Sequence, residues 1–272
     1  MNTESPSSPP RTRTISVVNQ KGGVGKTTTV VNLGAALALL GKSVLVVDAD
    51  PQGNASTGLG VERAALARSL ADVVLEGSAA DDAVLGTRMP GLSVIPSTIQ
   101  LAPAEIRLVS SIGRERQLLK AVASVKDTYD YVLIDSPPSL GLLTVNCLVA
   151  AETVIIPIQC EYYALEGLTQ LTDVLNMVRA EVNPSLGIEG LLLTMFDGRV
   201  RISEEVAEDV RGHFPGQVFK TVIPRNVRLS EAPSYGMPVI LYSPDSRGAQ
   251  AYVELAREVL ENEEARTRPR PE

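Results

Sequence analysis

The 272-residue chain has no tryptophan, three phenylalanines, one histidine and two cysteines. With aromatics at 4%, there is little to stack on unpaired bases, so any nucleic-acid contact should be mainly with phosphates. Cys147 and Cys160 lack the clustered spacing of a metal or iron–sulfur site and fit a reducing compartment. No apolar run approaches the ~20 residues that span a bilayer. The polar, proline-rich start, M-N-T-E-S-P-S-S-P-P-R-T-R, has no apolar segment like that of a secretory signal. The expectation is a cytoplasmic protein. A formal net charge of −7 argues against a surface that is basic all over, though not against a local basic patch.

What stands out instead is residues 21–28, K-G-G-V-G-K-T-T. They follow an apolar run, Ile15 to Val18, and open a helical pattern from Thr27 to Leu40. Strand, glycine loop and helix in that order are the context of a phosphate-binding loop. Gly22, Gly23 and Gly25 carry no Cβ, so the backbone can turn tightly and aim several N–H groups, Val24 included, into one concavity. The helix N-terminus adds a positive dipole end at the same point. Lys26 is placed to reach terminal phosphates, and the Thr27 hydroxyl, beside Thr28, to ligate Mg²⁺. The usual loop has glycine where this chain has Gln20 and lacks the additional lysine, Lys21. A lysine close to the phosphates can contribute strongly to phosphoryl transfer, which is mostly positioning and charge neutralisation.

Apolar strand patterns recur at 14–19, 43–48, 92–96, 131–135, 153–158, 190–195 and 218–223. Several are continuously apolar, as expected of parallel strands buried on both faces. Helical patterns lie at 27–40, 104–124, 164–182, 203–213 and 247–263. The alternation predicts an α/β fold, a doubly wound, mostly parallel sheet flanked by helices, with ligands at the carboxyl ends of the strands. The expected organisation is a tail over 1–13, a single phosphate-loop domain over 14–263 and a frayed end over 264–272.

Two apolar strands end in carboxylates. V-L-V-V-D-A-D-P-Q-G-N carries Asp48 and Asp50, which share a face if the strand persists through them. Y-V-L-I-D-S-P-P-S-L places Asp135 at a strand tip, the position of a Mg²⁺-holding carboxylate in phosphate-loop NTPases. Thr27, Asp48 and Asp135 are the candidate metal residues. Asp50 is the candidate for orienting or deprotonating the attacking water.

Together with T-M-F-D-G-R and I-P-R-N-V-R-L-S-E-A-P-S-Y-G-M-P, these motifs resemble the ParA/Soj partitioning ATPases of the deviant Walker A group, over about residues 14–260. The resemblance implies an ATP-sandwich homodimer in which Lys21 reaches the partner subunit's phosphates. It implies that Lys26 binds nucleotide, Thr27 binds Mg²⁺, Asp50 supports hydrolysis, and Pro224, Arg225 and Asn226 lie by the adenine. It further implies non-specific binding of double-stranded DNA by the ATP dimer, hence nucleoid association, and stimulation of a slow ATPase by a ParB-type partner. The chain resembles the short, chromosomal type.

Arg199, Arg201, Arg225, Arg228 and Arg247 cluster in the last third, among Glu204, Glu205, Glu208 and Asp209. By themselves they read equally as a DNA face or as solvated surface charges. The resemblance points most strongly at Arg199 and Arg228, with Arg201 and Arg247 beside them. His213 reads as a cap or surface residue and Cys147 as core; Tyr162 and Tyr163 fit an interface or ordinary packing. Arg11 and Arg13 of the tail are available to DNA or membrane. Two other proteins on the same ATP site are a MinD-like membrane switch and an electron-transfer protein like the nitrogenase iron protein. The first needs a basic amphipathic C-terminal helix, where this chain is acidic. The second needs cluster-ligating cysteines.

Overall fold

The computed structural model describes residues 12–161 and 166–267. Residues 1–11 of the expected tail, with Arg11, lie outside the described residues, as do Tyr162, Tyr163 and residues 268–272. In chain order the main elements are β1 (Arg13–Val17), α1 (Lys26–Leu39), β2 (Val44–Asp48), α2 (Asn54–Gly58), α3 (Leu70–Glu76), β3 (Leu85–Gly86), β4 (Leu92–Ile95), α4 (Leu101–Leu108) and α5 (Gln117–Val125). There follow β5 (Tyr131–Asp135), α6 (Leu142–Ala150), β6 (Thr153–Gln159), α7 (Glu166–Glu181), β7 (Gly187–Thr194), α8 (Arg201–His213), α9 (Val227–Glu231), α10 (Val239–Tyr242) and α11 (Arg247–Thr267).

The seven strands form one sheet in the order β3-β4-β2-β5-β1-β6-β7. Every pairing is parallel except β3 with β4. β2 and β5 are buried along their whole length, which is why they read as continuous apolar runs. Alternation then sorts their side chains: Val46 and Leu133 join the core under α1 and α11, and Leu45, Val47, Val132 and Ile134 join the core on the opposite face. By the same parity Asp48 and Asp135 are directed to the α1 face, paired in register at the tips of neighbouring strands. Gly34 lets α1 sit close on the sheet, since a Cβ there would lie 3.2 Å from Leu92 Cδ1 and 3.4 Å from Val46 Cγ2.

Four expectations are corrected. The pattern over 104–124 is two helices, because Ser110, Ser111 and Gly113 (φ +65°) break it between α4 and α5. The segment 218–223 lies along β7, with Phe219 N–H donating to the Leu191 carbonyl at 3.0 Å, but is not a strand. Its middle N–H groups, Lys220 and Thr221, donate instead to the Glu258 carboxylate on α11 at 2.7 and 2.9 Å. Arg13 is not a free tail residue: it begins β1 and its guanidinium bonds the buried Glu189 carboxylate at 2.7 Å. The last helix runs on to Thr267, its end fastened to the base of the sheet by Arg266 on Glu189 and Glu263 on the Tyr131 hydroxyl. The short β3 and the helices α2, α3, α6, α9 and α10 lie outside the expected elements, although Ser69 and Asp72 form a capping box that opens α3.

Candidate nucleotide and magnesium site

The glycine loop occupies the turn from β1 to α1. Asn19 shapes its start, accepting from Lys21 N–H at 3.0 Å and donating to the Pro157 carbonyl at 2.8 Å. Gly23 and Gly25 take φ of +77° and +95°, a region that a side chain would strain. Gly25 is the N-cap of α1 without any side-chain cap, so the first N–H groups of the helix remain available for an anion. Behind the loop, the Thr194 hydroxyl holds the Val24 carbonyl at 2.9 Å. Gly22, Gly23, Gly25, Lys26, Thr27 and Thr28 line one wall of a cavity of about 490 Å³.

Lys26 is 7% exposed, and its ammonium donates to the Lys21 carbonyl at 3.1 Å, closing the loop on itself. Burial lowers its pKa, opposed by the charges of Asp135 and Asp50. The Thr27 hydroxyl donates to Asp135 Oδ2 at 2.8 Å. Asp135 Oδ1 is fully buried and has no hydrogen-bond partner among the described residues. An orphaned carboxylate oxygen beside a hydroxyl, at the foot of a phosphate loop, has the oxygen-donor chemistry of a Mg²⁺ site. Burial, and next the neighbouring Asp48, push the Asp135 carboxyl well above the usual range.

Asp48 lies at the tip of the strand beside Asp135. Its Oδ2 accepts from Ser56 N–H at 2.8 Å and the Ser56 hydroxyl at 2.6 Å, and its Oδ1 from Asp50 N–H at 3.3 Å. Burial raises it to about 6. These bonds tie α2 to the strand tip. β2 also stops at Asp48, so strand alternation does not give Asp48 and Asp50 a common face. Asp50 lies in the following turn, 7% exposed and lining the cavity, with Oδ1 accepting from Gln52 N–H at 2.9 Å.

Lys21 stands apart from Lys26, half-exposed. Its ammonium is 3.7 Å from Glu161 Oε2, while Glu161 Oε1 lies 3.9 Å from Arg225. Exposed pairs at such distances contribute ~0–1 kcal/mol, so Lys21 is only lightly held. Pro224 and Arg225 bridge to Phe196, next to Met195, which lines the cavity with a φ of +52°. Asn226 caps α9 through Arg228 N–H at 2.9 Å. Met237, near the end of the last quoted motif, lines the cavity, and Glu161 and Asn32 belong to the surroundings of the site although no motif marks them. Asn32, a polar residue in the apolar run V-V-N-L of α1, is the one of those two with a legible signal: it lines the cavity and accepts from Val239 N–H at 2.7 Å.

The arginines are brought partly together. The Asp197 carboxylate takes Arg199 at 2.8 Å and feels the charge of Arg225. Leu229, next to Arg228, packs on Gly248, next to Arg247. Arg199 and Arg225 thus share Asp197, and Arg201 pairs with Glu205 at 2.7 Å on α8. Arg228 also has an acid partner, Glu231 at 2.7 Å.

A phosphate loop at the switch from β1 to α1, facing a buried aspartate at a neighbouring strand tip in a parallel sheet, defines a P-loop nucleotide-binding protein. Residues 12–188 match the AAA domain family. The sporulation initiation inhibitor protein Soj of Bacillus subtilis (strain 168) is 56% identical over 248 residues, 91% of this chain and 98% of its own. The chromosome partitioning protein ParA of Caulobacter vibrioides (strain NA1000 / CB15N) is 52% identical over 256 residues, 93% and 96% of the two chains. The chain belongs to the ParA/Soj family of partitioning ATPases. The same fold appears in the solved cobyrinic acid a,c-diamide synthase of Mycobacterium smegmatis with bound ATP analog and magnesium. That structure has a TM-score of 0.83 at 38% identity, over 94% of this chain and 97% of that one.

Proposed function

We propose that this chain is a cytoplasmic, Mg²⁺-dependent ATPase, one ATP-binding unit over about residues 14–263, that acts in DNA segregation as a nucleotide-controlled switch. The observation that carries it is the Thr27 hydroxyl on Asp135, with the second Asp135 oxygen buried and unsatisfied beneath a loop that also buries Lys26. Thr27 and Asp135 would hold Mg²⁺, which when bound neutralises charge on the phosphates. Loop N–H groups and Lys26 bind and orient the phosphates; Asp50 orients or deprotonates the attacking water. Lys21, lightly tethered to Glu161, is free to serve the partner subunit's nucleotide in an ATP-state homodimer. That dimer would bind DNA non-specifically through Arg199, Arg228 and Arg247, staying on the nucleoid until a ParB-type partner triggers hydrolysis. Identity to partitioning proteins above 50% over nearly the whole chain supports this reading.

No helix among the described residues is long and apolar enough to cross a membrane. The last turn of α11 is committed to the sheet through Glu263 and Arg266, which does not favour a MinD-like bilayer anchor. The test is binding to non-specific duplex DNA with no nucleotide, ADP, ATP and a slowly hydrolysed analogue, across a salt series. ATP-dependent binding is expected, lost in Lys26→Ala, whose ATP affinity falls tenfold or more by loss of a charged hydrogen bond of about 1.5–3 kcal/mol. Arg228→Ala keeps ATP binding and loses DNA. Absence of DNA binding in every nucleotide state would overturn the segregation reading and leave the ATP site standing.

A further inference from the structure

The residues Asp50-Pro51-Gln52-Gly53 form a tight turn: the Asp50 carbonyl accepts from Gly53 N–H at 2.9 Å, and the Asp50 carboxylate accepts from Gln52 N–H at 2.9 Å. Such a turn leaves the Pro51 and Gln52 carbonyls pointing outward. Both are met by one side chain from a separate segment. Arg63 Nη1 donates to the Gln52 carbonyl at 2.6 Å, and Nη2 approaches the Pro51 carbonyl at 3.4 Å.

The guanidinium lies flat against Gly53. A Cβ at that glycine would stand 2.6 Å from Arg63 Cζ and 2.7 Å from Nε, and Nε is buried there without a hydrogen-bond partner. This is a seated side chain, not a solvated surface charge. The Pro51 carbonyl and the Gln52 N–H belong to one peptide plane. Arg63 therefore holds one edge of that plane while the Asp50 carboxylate is held by the other.

We propose that Arg63 is a positioning residue for hydrolysis: by clamping the Pro51–Gln52 peptide and the Gln52 carbonyl it fixes the direction in which the Asp50 carboxylate faces the nucleotide cavity. A planar fork suits this task better than a single ammonium, because its donors can engage two carbonyls in fixed geometry. Arg63 itself is not among the residues lining the cavity, so it acts only through the turn. The role rests on the assignment of Asp50 to hydrolysis.

The experiment measures ATP affinity, melting temperature and the hydrolysis rate at saturating ATP and Mg²⁺ for the full chain. Its variants are Arg63→Ala, Arg63→Lys, Asp50→Ala and the double variant. Misplacing a catalytic group by a fraction of an ångström to one ångström costs on the order of tenfold to a hundredfold in rate. The expected result is such a fall in kcat for Arg63→Ala, with ATP affinity within about twofold of the original. Arg63→Lys should recover part of the loss, added methylguanidinium should recover part in Arg63→Ala, and Arg63→Ala should cost nothing further in the Asp50→Ala background.

An unchanged kcat in Arg63→Ala, with hydrolysis abolished in Asp50→Ala, would overturn the positioning role and keep the Asp50 assignment. A joint loss of ATP affinity and melting temperature with no guanidinium rescue would also overturn it, as a purely structural contact. Unchanged hydrolysis in Asp50→Ala would overturn the Asp50 assignment and the role of Arg63 with it.

Discussion

Glu189 shows how one residue's ionisation is bound to the fold. Burial would raise its carboxyl, but the Arg266 hydrogen bond and the charges of Arg13 and Arg266 more than offset this and hold it below the usual range. A carboxylate depressed in the folded state stabilises above its unfolded pKa and loses that contribution as pH falls through the folded value. Glu189→Gln should therefore destabilise the chain at pH 7 by about 3 kcal/mol, as expected for breaking a buried ion pair. The gap to the original should be flat above the usual glutamate range and shrink as pH falls below it, closing only where the depressed folded-state carboxyl of Glu189 takes up its proton. Thermal melts of both proteins across that range check this; a gap that widens toward acid would contradict it. The cysteines behave as buried apolar groups. Burial pushes the Cys160 thiol up to about 11, and that of Cys147 up as well, which leaves both poor nucleophiles.

At the scale of elements, two glycines make opposite predictions. Gly190 in β7 faces the Phe219 ring, and a Cβ would come within 2.5 Å of it. Gly190→Ala must displace Phe219 from the core and should cost about 1–3 kcal/mol, the range for overpacking. Gly212 lies near the end of α8, and a Cβ there would meet nothing within 4 Å. Gly212→Ala should be neutral or stabilise by up to about 1 kcal/mol through helix propensity and a less flexible unfolded chain. Denaturant midpoints decide both, and a stabilised Gly190→Ala would refute the packing of the 218–223 segment on β7. The loop-to-helix junction is itself set by such packing: Thr29 meets the buried Tyr252 hydroxyl of α11 at 3.2 Å, which helps seat α1.

For the whole molecule, the DNA binding proposed above would have to come from a few sites on a chain of net charge −7. Arg199 and Arg228 are each engaged by a carboxylate, Asp197 and Glu231, which a phosphate would have to replace. The Arg199 pair holds Asp197 down to about 2, so the competing charge is present at every working pH. Asp197→Asn should therefore strengthen ATP-state DNA binding, while Arg199→Ala weakens it and lowers the log–log salt slope by about 0.9 per lost phosphate contact. Titrations of duplex DNA at several salt concentrations measure both. Equal affinity in the two variants and the original would remove Arg199 from the DNA face.

The phosphate loop, the strand-tip aspartates and the parallel α/β order were legible because each is a local pattern. Glycines, a lysine and a threonine at fixed spacing define the loop, and continuous apolar runs define strands buried on both faces. The tertiary structure alone decided how those pieces share work. Asp48 and Asp135 are equivalent in sequence, yet Ser56 engages one through two hydrogen bonds and Thr27 meets the other. The 218–223 run has a strand's composition, but Glu258, distant in sequence, captures its N–H groups. Arg63 carries no motif, and only the fold lays its guanidinium over the Asp50 turn. Hydrogen-bond partners far apart in the chain leave no periodicity to read, because their geometry is fixed by packing rather than by spacing.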